Sequence, residues 1–160
     1  MFESLQKDAA GKPPLNGIYE NKPCVGLFHD ETGQAGWYRA SILRFSKSKG
    51  LVKVRYVDYG NTEVISTSDV REISEDWLKL PPASVQANLH DLKVNPHVDI
   101  SIVSAKFVET FLEKGPFNTK IITYENSIPQ VELRNEDGKL VYNKLVSRGY
   151  LISSGFYTTD

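Results

Sequence analysis

Val52-Lys53-Val54-Arg55-Tyr56-Val57-Asp58-Tyr59-Gly60-Asn61 begins as a strand and ends as a turn. Val52, Val54 and Tyr56 alternate with Lys53 and Arg55, so one face is apolar and the other wet. Gly60-Asn61 suits positive φ and hence a tight reversal. Tyr56 and Tyr59 therefore fall where a strand stops, at the mouth of a sheet rather than its middle. Upstream, Gly36-Trp37-Tyr38-Arg39-Ala40 opens a second strand that continues through Ile42 and Leu43. Two neighbouring strands that each deliver aromatics to one end can build a box of π faces, and such a box attracts a cation.

Working outward, Val25 to Phe28 reads as a brief apolar strand and Asp30 to Gly36 as a polar loop. A strand over Trp37 to Phe45 comes next, then a turn at Ser46-Lys47-Ser48-Lys49-Gly50 that leads into a strand over 51–57. Glu63-Val64-Ile65 is a short further strand, and residues 68–73 form a one-turn helix or a short closing strand. Short strands joined by tight turns point to a small antiparallel barrel. Before it, residues 2–9 read as a short helix with Phe2, Leu5 and Ala9 on one side, stopped by Gly11 and Pro13-Pro14.

Past Pro81-Pro82 the pattern changes. A strand is expected near 87–94 and a helix over 103–114. That helix would place Val103, Phe107, Val108, Phe111 and Leu112 on one buried face and end at Gly115-Pro116. Strands over 118–124 and 129–134 follow, then an Asp137-Gly138 turn. A last helix over 139–148 is expected to bury Leu140, Val141, Leu145 and Val146. This half is α+β, with too few strands for a barrel of its own.

Composition bounds the function. The chain has 160 residues, 40% hydrophobic and 24% charged, which fits one generous folded domain or two small ones. Its net charge is −1, whereas a sequence-independent nucleic-acid binder more often carries a basic excess. Cys24 is the single cysteine, so no internal disulfide and no cysteine-built zinc site can form, and a reducing compartment fits best. No run of about 18 apolar residues occurs, and Met1-Phe2-Glu3-Ser4 opens no apolar leader. The expectation is a chain without signal peptide or membrane-spanning helix. His29, His90 and His97 are scattered and match no metal spacing. Asp99, Glu109, Glu113, Glu125, Glu132, Glu136 and Asp137 fall on helix exteriors and turns with no visible pairing. That argues against a metal-dependent phosphodiesterase, which needs clustered carboxylates.

Trp37-Tyr38-Arg39-Ala40 and Tyr56-Val57-Asp58-Tyr59-Gly60-Asn61 resemble the two signature stretches of the extended Tudor domains, the Tudor–staphylococcal-nuclease-like family of the PIWI pathway. Leu80-Pro81-Pro82, Val131-Glu132-Leu133, Asn143, Leu145-Val146 and Gly149 resemble its flanking nuclease-like part. The resemblance implies a mainly β, α+β architecture: a five-stranded Tudor barrel over 19–76, joined to a partial nuclease-like OB-type subdomain made of 1–18 and 77–160. Fewer residues precede the barrel than the family supplies from that side.

By the same resemblance the ligand is methylated arginine, typically symmetric dimethylarginine, in the Arg/Gly-rich tails of PIWI proteins. The family's aromatic cage falls on Phe28, Tyr38, Tyr56 and Tyr59, and its amide on Asn61. The implied role is a non-catalytic, cofactor-free, monomeric scaffold of cytoplasmic or germ-granule ribonucleoprotein, with nucleic acid absent or indirect and no membrane partner. A reader of unmodified arginine and a nucleic-acid-binding module are the competing readings.

Physical chemistry supports that ligand independently. A dimethylguanidinium keeps its charge but has lost donors and gained methyl groups, so stacked rings serve it better than a carboxylate fork. The Asn61 carbonyl can accept from a remaining guanidinium N–H, which separates methylarginine from methyllysine. Asp30 and Glu31 near the mouth add field. Arg39 and Asp58 are expected to contact each other as a structural pair, and Trp37 to pack on the face opposite Tyr38. Because strand-end phenols hide poorly, Tyr56 and Tyr59 are both expected to be exposed cage residues that the fold can lose.

Overall fold

The computed structural model describes residues 2–111 and 115–155, with Phe2 described by backbone alone. The expected contributions of Phe2 and Leu112 to helix faces lie outside the described residues. The chain divides into two compact units, Met1–Val85 and Gln86–Asp160.

The first unit opens with helix α1 (Phe2–Ala10), followed by β1 (Pro23–His29), β2 (Ala35–Ser46), β3 (Leu51–Tyr56), β4 (Thr62–Ser66), a 3-10 turn over Thr67–Asp69, β5 (Val70–Arg71) and α2 (Glu75–Leu78). The strands form one antiparallel five-stranded sheet in the order β4-β3-β2-β1-β5. Its two edges, β4 and β5, are joined in sequence by the 3-10 turn and share no ladder, so the barrel is open at that seam. Both alternatives expected for residues 68–73 occur, one after the other.

Alternation sets the interior. Cys24, Ala40, Ile42, Val52, Val54, Tyr56 and Val70 form the buried cluster inside the curl of the sheet, with Phe28, Tyr38 and Ile65 packed against it. The register between β2 and β3 shifts between Ile42 and Arg44, an irregularity that bends the longest strand of the sheet. The opposite face is covered by α1. Leu5, Ala9 and Val25 make a second buried cluster with Trp37, Ile73 and Trp77 packed on it. Trp37 thus lies on the face opposite Tyr38, as alternation requires. Gln6 ties the helix to the strand, donating from Nε2 to the Trp37 carbonyl at 2.5 Å and accepting the Trp37 N–H at 2.6 Å.

The second unit comprises β6 (Asn88–Leu89), β7 (Leu92–Val94), α3 (Ile100–Phe111), β8 (Asn118–Glu125), β9 (Ile128–Arg134), α4 (Asn143–Ser147) and β10 (Leu151–Ser153). The strand expected near 87–94 is split at Asp91, whose φ of 55° turns the chain. Sheets β6-β9-β8 and β10-β7 result. Tyr142, Leu145 and Leu151 centre its core, with Leu140, Val141 and Phe111 packed around them.

Three expectations for this unit are corrected. Val103 of α3 is buried, yet Phe107 and Val108 are exposed, as are Ile100 and Ile102. The helix is apolar round most of its girth, so a single core contact cannot cover it. The last helix is shorter than expected, because Leu140 bridges Arg134 and the Val141 N–H reaches the Leu133 carbonyl before any helical turn begins. Val146 is exposed rather than buried.

Candidate aromatic cation site

Phe28, Tyr38, Tyr56, Tyr59 and Asn61 line one open cavity of about 330 Å³. All five residues expected to form the cage are therefore brought together. Phe28 sits near the end of β1, and its register partner is Gly36 on β2. Tyr38 lies two residues further along β2 and Tyr56 ends β3. Tyr59 and Asn61 come from the turn after β3. That turn closes because the Gly60 and Tyr59 N–H groups donate to the Tyr56 carbonyl at 2.7 and 3.2 Å, and the Tyr56 N–H returns to the Asn61 carbonyl at 3.0 Å. Gly60 adopts φ +87°, a conformation that side chains resist.

The rings meet edge to face. Centroid distances are 6.0 Å for Phe28–Tyr38, 5.5 Å for Phe28–Tyr56, 6.1 Å for Tyr38–Tyr56 and 5.5 Å for Tyr38–Tyr59, with interplanar angles of 80–90°. In each edge-to-face contact the electropositive edge of one ring meets the electron-rich face of its neighbour, which braces the cluster. The electrostatics are those of a neutral phenol box. Burial, then the neighbouring Tyr59 and Asp30, raises the Tyr38 pKa above its ordinary value. Burial foremost, then the Glu63 carboxylate, pushes that of Tyr56 well above the usual phenol range. Both phenols thus remain protonated at neutral pH.

Tyr59 is 67% exposed, whereas Tyr56 is only 1% exposed. The expectation that both phenols are free of the core is corrected for Tyr56. Its hydroxyl lies 3.1 Å from the Leu27 carbonyl and 3.4 Å from Glu63 Oε2. A phenol with an internal acceptor can be buried at a strand end without an orphaned hydroxyl. Tyr56 is the floor of the cavity and part of the barrel core together.

Two glycines not singled out from the sequence hold the rings in place. A Cβ on Gly36 would sit 3.0 Å from the Tyr38 ring, and one on Gly26 would sit 3.2 Å from the Tyr56 ring. Each ring leans on bare backbone. The available signal was a glycine inside a strand pattern, which marks close approach.

The Arg39–Asp58 pair exists as expected and does more than orient two strands. Arg39 Nε and Nη2 donate to the two Asp58 oxygens at 2.8 and 2.5 Å. Nη1 donates to the Trp77 and Leu80 carbonyls and Nη2 to that of Pro81. Asp58 also accepts the Ala83 N–H, and Ser84 donates through both N–H and hydroxyl to the Val57 carbonyl. The guanidinium thereby fastens the turn bearing Tyr59 and Asn61 to the segment after α2. It holds the Asp58 carboxyl below its ordinary value.

Elsewhere, Cys24 is fully buried and burial pushes its thiol up to about 12, the behaviour of a small hydrophobe. In the second unit Asp99 accepts the Ser101 N–H at the start of α3, Glu109 pairs with Lys106 and Glu132 with Arg134. Among the described residues, no three His, Cys, Asp or Glu side chains gather where they could hold a metal ion.

A Tudor domain family model matches residues 1–91. Mouse (Mus musculus) Tudor domain-containing protein 1 is 38% identical over 93 residues, covering 57% of this chain and 8% of that protein. Mouse RING finger protein 17 is 30% identical over 115 residues, covering 71% of this chain and 7% of that protein. The chain thus spans under a tenth of the length of these relatives. Among solved structures, the extended Tudor domain TD3 of mouse TDRD1 in complex with a MILI peptide containing dimethylarginine superimposes with a TM-score of 0.78 at 27% identity, covering 96% of this chain and 78% of that one. The Drosophila melanogaster Papi extended Tudor domain shares the fold at a TM-score of 0.74 and 22% identity, covering 95% and 81%.

Proposed function

The chain belongs to the Tudor domain family, and we propose that it reads methylated arginine, symmetric dimethylarginine foremost, in Arg/Gly-rich peptides. The observation that carries this reading is the convergence of four rings, linked by edge-to-face contacts, and one carboxamide on a single open cavity. The dimethylarginine peptide bound to the mouse TDRD1 domain supports it. Each ring contact with the cation contributes about 0.5–2 kcal/mol according to desolvation. Three or four walls around a short exposed peptide give affinity on the order of micromolar, about −8.2 kcal/mol.

The Asn61 amide is exposed at the rim and accepts a guanidinium N–H, while the methyl groups fill the space between the rings. No bond is made or broken: the module is a non-catalytic scaffold that gathers methylated tails, those of PIWI-type proteins in small-RNA silencing.

Titration of an Arg/Gly peptide with and without symmetric dimethylation, alongside a single-stranded RNA, tests this. The methylated peptide is expected to bind at least about tenfold tighter, a difference of about 1.4 kcal/mol. Equal affinity for the two peptides would defeat the reading in favour of an unmodified-arginine reader. Tighter binding of the RNA would replace it with a nucleic-acid module.

A further inference from the structure

A second cavity, of about 280 Å³, opens beside the cage and is lined by Leu5, Trp77 and Ala83 together with Tyr38 and Tyr59. Tyr38 and Tyr59 line both cavities, so the same two rings border the cage and its neighbour. Resting on the methylarginine reading, we infer that this second cavity is a specificity pocket for an aliphatic side chain two residues from the methylated arginine in the same extended peptide.

Chemistry decides the class of occupant. The charged residues lining the cavity are Arg39 and Asp58, and these are spent on each other and on backbone. All five guanidinium donors of Arg39 are used, on Asp58, Trp77, Leu80 and Pro81. Asp58 Oδ1 further accepts the Ala83 N–H. With every Arg39 donor used and Asp58 already accepting from Arg39 and Ala83, the pair offers little to a charged or amide side chain, whose lost water it would poorly replace. Leu5, Trp77 and Ala83 offer apolar contact. An aliphatic side chain gains from leaving water there and gives up no hydrogen bond.

Spacing decides the position. In an extended peptide, side chains on the same face recur every second residue, about 7 Å apart. Tyr38 and Tyr59 wall both cavities, so the two lie side by side, and the shortest spacing that puts two side chains on one face of an extended peptide, two residues, serves both. The residue between them points away from the surface and is unconstrained. The cage then selects the modification, and the neighbouring pocket selects which methylated arginine in a repetitive tail is engaged.

The test uses a glycine-rich peptide with one symmetric dimethylarginine, carrying Leu in place of Gly either two residues before or two residues after it. Calorimetric titration into the full chain is expected to show about fivefold or greater tightening for one of the two leucine peptides, as burial of an aliphatic side chain provides. In Ala83→Phe, which fills the cavity from an exposed position, that leucine-to-glycine ratio is expected to fall to about one. Thermal melting of the variant verifies that it is folded. Binding of the dimethylated peptides with a ratio of one at both positions in the unaltered chain would overturn this inference and leave the cage intact. A leucine advantage that persists in folded Ala83→Phe would overturn it as well. Binding no tighter than that of the unmethylated peptides would overturn the methylarginine reading itself, and this inference with it.

Discussion

Tyr59 and Tyr56 stand in the same cavity and differ in what their loss should do. Tyr59→Ala removes an exposed ring, so the melting temperature is expected to stay within a few degrees while affinity for the dimethylated peptide falls about tenfold or more. Tyr56→Ala empties a core position, and urea titration is expected to show a loss of about 3–5 kcal/mol. Tyr56→Phe keeps the ring and gives up only the hydroxyl bond, a loss of about 1 kcal/mol with the cage preserved. Gly36→Ala is the subtler change. Its methyl would press on the Tyr38 ring at 3.0 Å and tilt it, so peptide affinity is expected to drop several-fold in a protein that still folds. Unchanged affinity would show that Tyr38 has room to yield. The five candidate cage residues were legible as neighbours because each sits in a local pattern of strand alternation or turn chemistry. The two glycines were not, because what they accommodate comes from across the strand or from two residues along it.

Among the elements, the turn after β3 and the segment after α2 are joined through one guanidinium. Arg39→Ala would leave Asp58 and the carbonyls of Trp77, Leu80 and Pro81 without their donor, and a stability loss of about 3 kcal/mol is expected by denaturant titration. Acid should act on the same joint. Arg39 holds the Asp58 carboxyl below its ordinary value of 3.8, so the folded state binds a proton there less readily than the unfolded chain. The resulting stability is complete above 3.8 and is lost as pH falls below it toward the folded value. The urea midpoint is expected to decline in that acid range, and Asp58→Asn to make the decline shallower; an identical slope would remove Asp58 from the account. The strands of the first unit were readable from alternation and turn residues. Helix α2 and strand β10, of four and three residues, are too short for any periodicity to register. The true start of the last helix depends on a bridge between Arg134 and Leu140, a pairing that helical spacing cannot reveal.

For the whole molecule, the near-neutral charge and the confined aromatic site make a joint statement about partners. A binder that neutralised many phosphates would lose several orders of magnitude in affinity between low and moderate salt. Caging one cation among rings should cost well under about tenfold over the same range, and a salt series on the dimethylated peptide reads this directly. Family membership rests on the match to residues 1–91, which includes every strand of the first sheet. Within that range, Tyr56, Tyr59 and Asn61 line the cavity that all five candidate cage residues share. The most direct test places an isotope label on the N-methyl groups of a symmetrically dimethylated arginine peptide and follows their NMR resonances as the protein is added. Enclosure by the faces of Phe28, Tyr38, Tyr56 and Tyr59 predicts a pronounced upfield ring-current shift that Tyr59→Ala diminishes. Binding that leaves the methyl resonances where they stand in free peptide would contradict the cage.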